Sequence, residues 1–484
     1  MNPPEPRQAY ALWLDSLSRA GWAAGPAAGS RAERVPVADA LGRVTAAPVT
    51  ARWPSPRSDC AAMDGIAVSA AIMSAAVAGA AVADAAVADA AVADAAVAGA
   101  ADPGEGAGGG AAADAVRVPA GTFEWIDTGD PMPDGTDTVV VRERLLPRAD
   151  GSVLITRGAD GDVTDGAGVT AAGETIVARG RHVRPAGEDF AAGEVLVPAG
   201  RRLRPGDLAA AAADGRVSLA VARRPVVAII PTGDEIRPAG SALRHGDIID
   251  TNSVMLAARC RLAGAVPMVS DVQPDDPDAL ASGIRQAALG ADLVLVIAGS
   301  SHGRGDHAGA VLAQVGGVAV TGVAIRPGHP ALLGHVKRPS AGPGRRGERD
   351  RTGIAPVIGL PGYPLAAAVV FELFAAPLLA TVGGRPGPPG PPRPSLVATL
   401  DRDWSSPAGI EEWVLVTLSP APAPALSAAT ADSLAGLLPV ASPARRGAGS
   451  ISQLARADAW WPIPAGSRSV AAGTAIGVLP IPGG

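Results

Sequence analysis

Five short stretches between residues 225 and 366 carry the groups best suited to chemistry. They are PVVAIIPTGDEI (225–236), GDIIDTN (246–252), LVLVIAGSSHGRGD (293–306), AIRPGHP (324–330) and VIGLPGYP (357–364). The Gly299-Ser300-Ser301 turn offers backbone N–H groups in a run that can cradle an anion. Arg304 and Arg326 add cationic donors for phosphate or another oxyanion, and His329 joins them when protonated. Asp234, Glu235, Asp250 and Asp306 are hard oxygen ligands of the kind Mg²⁺ takes. Anion cradles beside carboxylates point to a phosphorylated ligand held with a divalent metal. A plainer reading of TGDE also stands: a helix N-cap followed by first-turn acids that favour the helix dipole.

The elements that must position these groups follow from the same stretches. Three of the five are apolar runs feeding a Gly- or Pro-rich turn. Interleaved with helical segments, they read as α/β units of an open sheet. Ligands of such sheets sit beyond the carboxyl ends of the strands, so the turns are expected to converge on one pocket.

The chain of 484 residues is too long for one core and predicts about three or four domains. A net charge of −6 argues against a nucleic-acid binder that relies on overall basicity. Cys60 and Cys260 form neither a metal-spacing pair nor a disulfide framework, as in a reducing cytosol. The start, MNPPEPRQAY, lacks the order of a secretory signal. Residues 76–100 repeat AVADA-like pentads, with Asp84, Asp89 and Asp94 against a membrane span. They read as a low-complexity insertion without chemistry. A basic loop, 337–353, reads as a solvated insertion, and PGPPGPPRP (386–394) as a stiff linker.

Elsewhere, residues 6–21 have helical apolar spacing, and ADALGRV (38–44) has the composition of an ordinary helix. Met63-Asp64-Gly65 forms a turn before a strand, and DTGDPMP (127–133) is a second acidic turn. Arg184, Glu188 and Asp189 stand in VRPAGEDF (183–190), where a surface ion pair is the plain expectation. In QPDDPDAL (273–280), helix capping accounts for one of Asp275 and Asp276.

In this order, PTGDEI, GDIIDTN, AGSSHGRGD, RPGHP and LPGYP resemble the motifs of the MoeA/gephyrin E-domain family. The MDG turn, VRPAGEDF, SLAVARRP (218–225) and GAGSISQLARADAWWPIP (447–464) extend the resemblance over nearly the whole chain. DTGDP, AGSS and LPGYP are similar to a divergent branch in which a periplasmic-binding-protein-like domain often follows; none is expected after Gly484. Arg326 and His329 stand where the family carries lysines, Tyr363 where it has asparagine, and Ile66 where it has tyrosine.

The resemblance implies a multidomain α/β plus β fold in an elongated chain. Residues 1–50 with 184–224 would form the elongated N-terminal domain, and 51–183 a small β-rich inserted domain. Residues 225–385 would form a three-layer α/β core that binds molybdopterin, and 394–484 a C-terminal β-barrel. The implied activity is that of a molybdopterin molybdenumtransferase, which inserts molybdate into adenylylated molybdopterin, releasing AMP with Mg²⁺ present. A molybdopterin carrier without transferase activity and a tungstate-specific homologue are the alternatives. The implied catalytic residues are Asp64, Asp189, Glu235 and Asp306. The metal set is Asp234, Glu235, Asp275 and Asp306. Thr128, Thr232, Gly299, Ser300, Ser301, Arg304, Arg326, Gly328, His329 and Gly362 would hold pterin and phosphate. The expected partners are the small-molecule substrates, a second copy in a homodimer, and the adenylyltransferase of the same pathway. Neither nucleic acid nor membrane is expected, and the expected location is the cytoplasm.

Overall fold

A computed structural model describes residues 3–22, 32–73, 116–155, 178–298, 307–338, 353–385, 390–421 and 438–481. The repeat at 76–100, the Gly299–Asp306 turn and most of the basic loop lie outside these residues. The chain divides into two compact units. The first comprises Met1–Ala47, Pro198–Leu208 and Val217–Gly484; the second comprises Pro48–Val197 and Ala209–Arg216.

The first unit contains a six-stranded sheet. Its strands are β1 (Val226–Pro231), β2 (Val266–Val269), β3 (Leu293–Ala298), β4 (Gly316–Thr321), β5 (Leu332–Lys337) and β6 (Ile354–Pro361). The spatial order is β2-β1-β3-β6-β5-β4. The first four run parallel, β5 pairs antiparallel with β6, and β4 pairs antiparallel with β5. Val227 stands opposite Leu293, and Val294 opposite Val357. β1, β3 and β6 are apolar almost throughout because both faces of the sheet are covered.

Alternate residues feed two cores. Val227, Ile229, Leu293, Leu295 and Ile358 pack against helices α1 (Pro6–Arg19) and α2 (Asn252–Leu262) and against the helical run Pro364–Val382. Ala228, Ile230, Val294, Val296 and Val357 pack against α3 (Pro277–Gly290) and α4 (Ala308–Val315). Asp276 caps α3, its carboxylate accepting from the Ala279 N–H at 2.7 Å. The run Pro364–Val382 is long and apolar enough to cross a membrane, but 78% of its most apolar window is buried in this core. It widens into a π turn at Phe371–Ala375, just before Pro377, which has no N–H for a regular helical bond.

A closed barrel follows: β7 (Leu396–Leu400), β8 (Glu411–Ser419), β9 (Val440–Pro443), β10 (Ala459–Ile463) and β11 (Ala475–Pro480). β8 pairs with β9, β9 with β7, β7 with β11, β11 with β10, and β10 again with β8. Closure leaves no free edge. Leu400, Val414, Val416, Trp461 and Val478 fill its interior.

ADALGRV is not a helix. A short 3₁₀ turn, Val37–Asp39, follows the strand Ala32–Pro36, which pairs with Ser218–Ala222. The N–H groups of Gly42, Leu203 and Thr45 join this segment to residues near 200 across the chain, with Gly42 at φ 71°. Those β-type ties satisfy the backbone in place of a helix.

In the second unit, Gly65–Val68 runs between Glu124–Ile126 and Thr138–Val141, antiparallel to both. Ile66 and Val68 face one small core, and Ala67 faces another. A Cβ at Gly65 would stand 1.9 Å from the Val140 carbonyl oxygen, so the MDG turn admits glycine alone there.

Candidate active site

The motif turns are locked by their own polar groups. The Thr232 N–H and hydroxyl both donate to the Ile297 carbonyl, at 3.1 and 2.8 Å, which ties the end of β1 to β3. No helix begins at TGDE; instead Ile236–Arg237 pairs in parallel with Ile248–Ile249. Asp250 accepts from the Ser253 N–H at 2.9 Å at the start of α2. The Asn252 side-chain amide donates to the Gly362 carbonyl at 2.7 Å, joining GDIIDTN to LPGYP. Ile325–Arg326 pairs with Glu411–Glu412 of β8, which fixes the RPGHP turn against the barrel. Gly328 has φ 111°, and a Cβ there would meet Ile325 Cδ1 at 2.8 Å and Val370 Cγ2 at 3.0 Å. The His329 Nδ1–H donates to the Val323 carbonyl at 2.7 Å, so Nε2 is the ring nitrogen left for a ligand.

Four of the five motif turns line one cavity of about 970 Å³ within the first unit. Thr232, Glu235, Arg326, Gly328, His329 and Gly362 are in its wall. The barrel supplies the facing wall with Trp404, Glu412, Trp413, Arg445 and Arg446. Glu412 is only 2% exposed. It accepts from Arg446 Nε at 2.6 Å, from Arg446 Nη2 at 3.0 Å and from the Trp404 indole at 3.1 Å. The Arg446 guanidinium also lies over the Trp404 ring, 4.5 Å from its centre. Burial pushes the Glu412 carboxyl up, but the Arg446 and Trp404 donors outweigh it and hold it below its ordinary value. The Glu412 hydrogen bond raises Arg446.

Arg446 is therefore neutralised within the wall. Among the described residues, no carboxylate pairs with Arg326 or Arg445. These two are the cations left to meet an anion. Ile236, Ile249, Ile297, Ile325 and Trp413 give the same cavity apolar surface. The combination suits a ligand with a flat organic body and oxyanion groups.

Asp234 and Asp275 do not line this cavity; they meet each other, the Asp275 N–H donating to Asp234 at 3.3 Å. Gly299, Ser300, Ser301, Arg304 and Asp306 lie outside the described residues. Among the described residues no three His, Cys, Asp or Glu side chains gather as a metal-binding group.

Asp64, Thr128 and Asp189 belong to the second unit. Asp64 accepts from the Thr128 N–H and hydroxyl, both at 2.7 Å. The Thr128 hydroxyl, then its N–H, hold the Asp64 carboxyl below its ordinary range, so it is ionised at neutral pH. Asp189 is exposed beside the surface pair Arg184–Glu188, whose atoms are 2.6 Å apart.

Glu412, Arg446, Trp404 and Arg445 are site residues that the motif reading missed. The one available signal was the pair of acids opening EEWVLV, an otherwise apolar strand.

Residues 6–215 match the family described as "MoeA N-terminal region (domain I and II)", and residues 228–381 that described as "Probable molybdopterin binding domain". A Mycobacterium tuberculosis protein named molybdopterin molybdenumtransferase 2 is 30% identical over 312 residues, covering 61% of this chain and 65% of the relative. The molybdopterin molybdenumtransferase of a Nostoc species is 30% identical over 262 residues, covering 54% of this chain and 52% of the relative. Each match spans less than two thirds of the relative's length. Among solved structures, a molybdopterin biosynthesis MoeA protein from Pyrococcus horikoshii superposes with a TM-score of 0.68 at 24% identity, covering 99% of this chain and 98% of that one. That likeness bears on the fold, which is the same multidomain α/β plus barrel arrangement. By these matches along its length, the chain belongs to the MoeA family.

Proposed function

We propose that this chain is a molybdopterin molybdenumtransferase, inserting molybdate into adenylylated molybdopterin with release of AMP. The observation that carries the reading is the convergence of four motif turns on one cavity of about 970 Å³, with Arg326 and Arg445 as cations with which no carboxylate among the described residues pairs. Molybdate and the pterin phosphate are both anions. Bringing them together needs cationic and N–H donors, and positioning them lowers the entropic part of the barrier. In this reading Arg326, Arg445 and His329 hold the oxyanions, and the apolar wall holds the pterin. Gly299, Ser300, Ser301 and Arg304 belong to the phosphate cradle, and Asp306 and Glu235 to the catalytic set.

The rest of the proposal is finer. Asp64, Thr128 and Asp189 complete the site from the second copy of a homodimer. Mg²⁺ is held by Asp234, Glu235, Asp275 and Asp306. The four-part domain division, a cytoplasmic location and delivery of substrate by the pathway's adenylyltransferase belong to the same reading.

The test is reconstitution with adenylylated molybdopterin, Mg²⁺ and either molybdate or tungstate, following AMP. Oxyanion-dependent AMP release is expected, and Arg326→Ala is expected to weaken pterin binding about tenfold, ~1.4 kcal/mol. A wild-type protein that binds the adenylylated pterin but releases no AMP with either oxyanion is a carrier, and the transferase reading is then lost.

A further inference from the structure

A second hollow of about 240 Å³ in the first unit shares no lining residue with the large cavity. Six of its 16 lining residues are arginines, Arg43, Arg202, Arg223, Arg224, Arg261 and Arg385, and none is an acid. They arrive from separate parts of the chain: the turn after ADAL, the segment near residue 200, the ARRP link into β1, the end of α2 and the end of the run Pro364–Val382. Two are matched. Arg43 pairs with Glu33 and donates to the Ala222 carbonyl at 2.9 Å. Arg223 reaches Asp292 at 3.1 and 3.3 Å. Among the described residues, no carboxylate pairs with Arg202, Arg224, Arg261 or Arg385.

Helix dipoles account for part of this charge. Arg261 is in the last turn of α2, and Arg385 follows the end of Ala376–Val382, where cations are favoured. Arg202 and Arg224 have no such support. Arg202 lies just ahead of the helix Pro205–Ala213, the end that disfavours a cation, and Arg224 follows a strand. Burial, and then Arg202 beside it, holds Arg385 below the usual arginine range. Like charges gathered in one hollow repel until an anion joins them.

We propose that this hollow binds a compact oligophosphate, which accepts hydrogen bonds from Arg202, Arg224, Arg261 and Arg385 together. Guanidinium forks match phosphate oxygens in pairs. A volume of about 240 Å³ is below the roughly 300–1,000 Å³ of sites that enclose drug-sized ligands, so it suits a phosphate chain without an enclosed nucleoside. The source is either free oligophosphate or the phosphate tail of a nucleotide.

The test is calorimetric titration of the full chain with tripolyphosphate, ATP and AMP at constant ionic strength. Tripolyphosphate is expected to bind and to raise the melting temperature. Arg202→Ala with Arg224→Ala is expected to weaken that binding at least about tenfold, while Arg326→Ala leaves it at the wild-type value. In anion-free buffer the double variant is expected to melt no lower than wild type, because repulsion is relieved. Arg224→Ala alone serves if the double variant does not fold. ATP binding as tightly as tripolyphosphate assigns a nucleotide tail, and tripolyphosphate binding alone assigns the free anion; both support the site. Absent binding by wild type, unchanged binding in the arginine variants, AMP binding as tightly as tripolyphosphate, or loss on Arg326→Ala would each overturn it.

Discussion

The two walls of the large cavity are built on different principles. On the α/β side, side-chain groups tie backbone to backbone: Thr232 to Ile297, and Asn252 to Gly362. An ion pair, Arg259–Glu372, lies behind that wall, with both side chains nearly buried, 10% and 12% exposed. On the barrel side the ion pair is in the wall itself, and its arginine is 41% exposed. One pair is part of the foundation, and the other is part of the binding surface. The same residue types therefore carry different costs and opposite pH behaviour.

The largest effect is expected from Glu372→Ala. Removing the side chain leaves the buried Arg259 guanidinium without its hydrogen-bond acceptor, which costs about 3–5 kcal/mol. Urea unfolding of variant and wild type measures it. A loss below about 1 kcal/mol would mean that water reaches Arg259, and the distinction between foundation and surface would fail.

Glu412→Ala is expected to cost less, about 1–3 kcal/mol, because Arg446 can turn to solvent. The two pairs also separate by pH. Glu412 is held below its ordinary value, so its contribution is full above the unfolded pKa of about 4.3 and is lost as pH falls through the folded value. For Glu372, burial pushes the carboxyl up, and Arg259 brings only part of that back. Its contribution is full below about pH 4.3 and is lost as pH rises through its folded value. Glu412→Gln is therefore expected to flatten the acid side of the stability curve, and Glu372→Gln to remove the loss on rising pH. Two variants with the same pH profile would show that the pairs are alike.

The sequence made one wall legible and left the other obscure, for a physical reason. On the α/β side, the PTGDEI and LPGYP turns follow apolar strands, and strand ends are where open sheets bind ligands. Thr232 and Gly362 stand out for that reason, and Arg326, Gly328 and His329 stand out by residue type in RPGHP. Glu412 lies beside Glu411 in one strand, and only parity separates them. Glu412 shares its face with Val414 and Val416, which fill the barrel, while Trp413 and Leu415 join the α/β core. Nothing in EEWVLV says which parity faces in until the barrel has closed. Arg446 is harder still, since its partner is 34 residues away. The ADALGRV segment misleads in the opposite direction. Its residues have helical composition, but partners near residue 200 capture its backbone.

Asn252→Ala sharpens the contrast at smaller scale. It removes the tie to Gly362 and also the Asn252 side-chain oxygen Oδ1, which is buried with no partner among the described residues. The loss of the first is partly offset by removal of the second, so the net cost is expected to be about 1 kcal/mol. The main effect is on position, because Gly362 loses the bond that holds LPGYP. Pterin binding is expected to weaken more than the small stability loss suggests. Equal changes in stability and binding would mean that the tie does no positioning.

The smallest effect concerns what lies behind the α/β wall. Tyr10 of α1 packs in the same core as the π turn that carries Glu372, its ring stacked on Phe374 with centres 6.3 Å apart. The ring is 2% exposed, and its hydroxyl has no partner among the described residues. Burial also raises the Tyr10 hydroxyl pKa, so it stays neutral. A buried hydroxyl without a partner carries a desolvation penalty with no bond in return. Tyr10→Phe keeps the ring and removes that penalty, so it is expected to be neutral or to stabilise by up to about 1 kcal/mol in urea unfolding. The foundation of the α/β wall would then rest on apolar packing with polar exceptions at Arg259–Glu372 and at Trp13, whose indole donates to the Gly334 carbonyl at 2.8 Å. A loss above about 1 kcal/mol would reveal a hydrogen bond from Tyr10, and the foundation would hold a further polar tie of the kind that marks the wall in front of it.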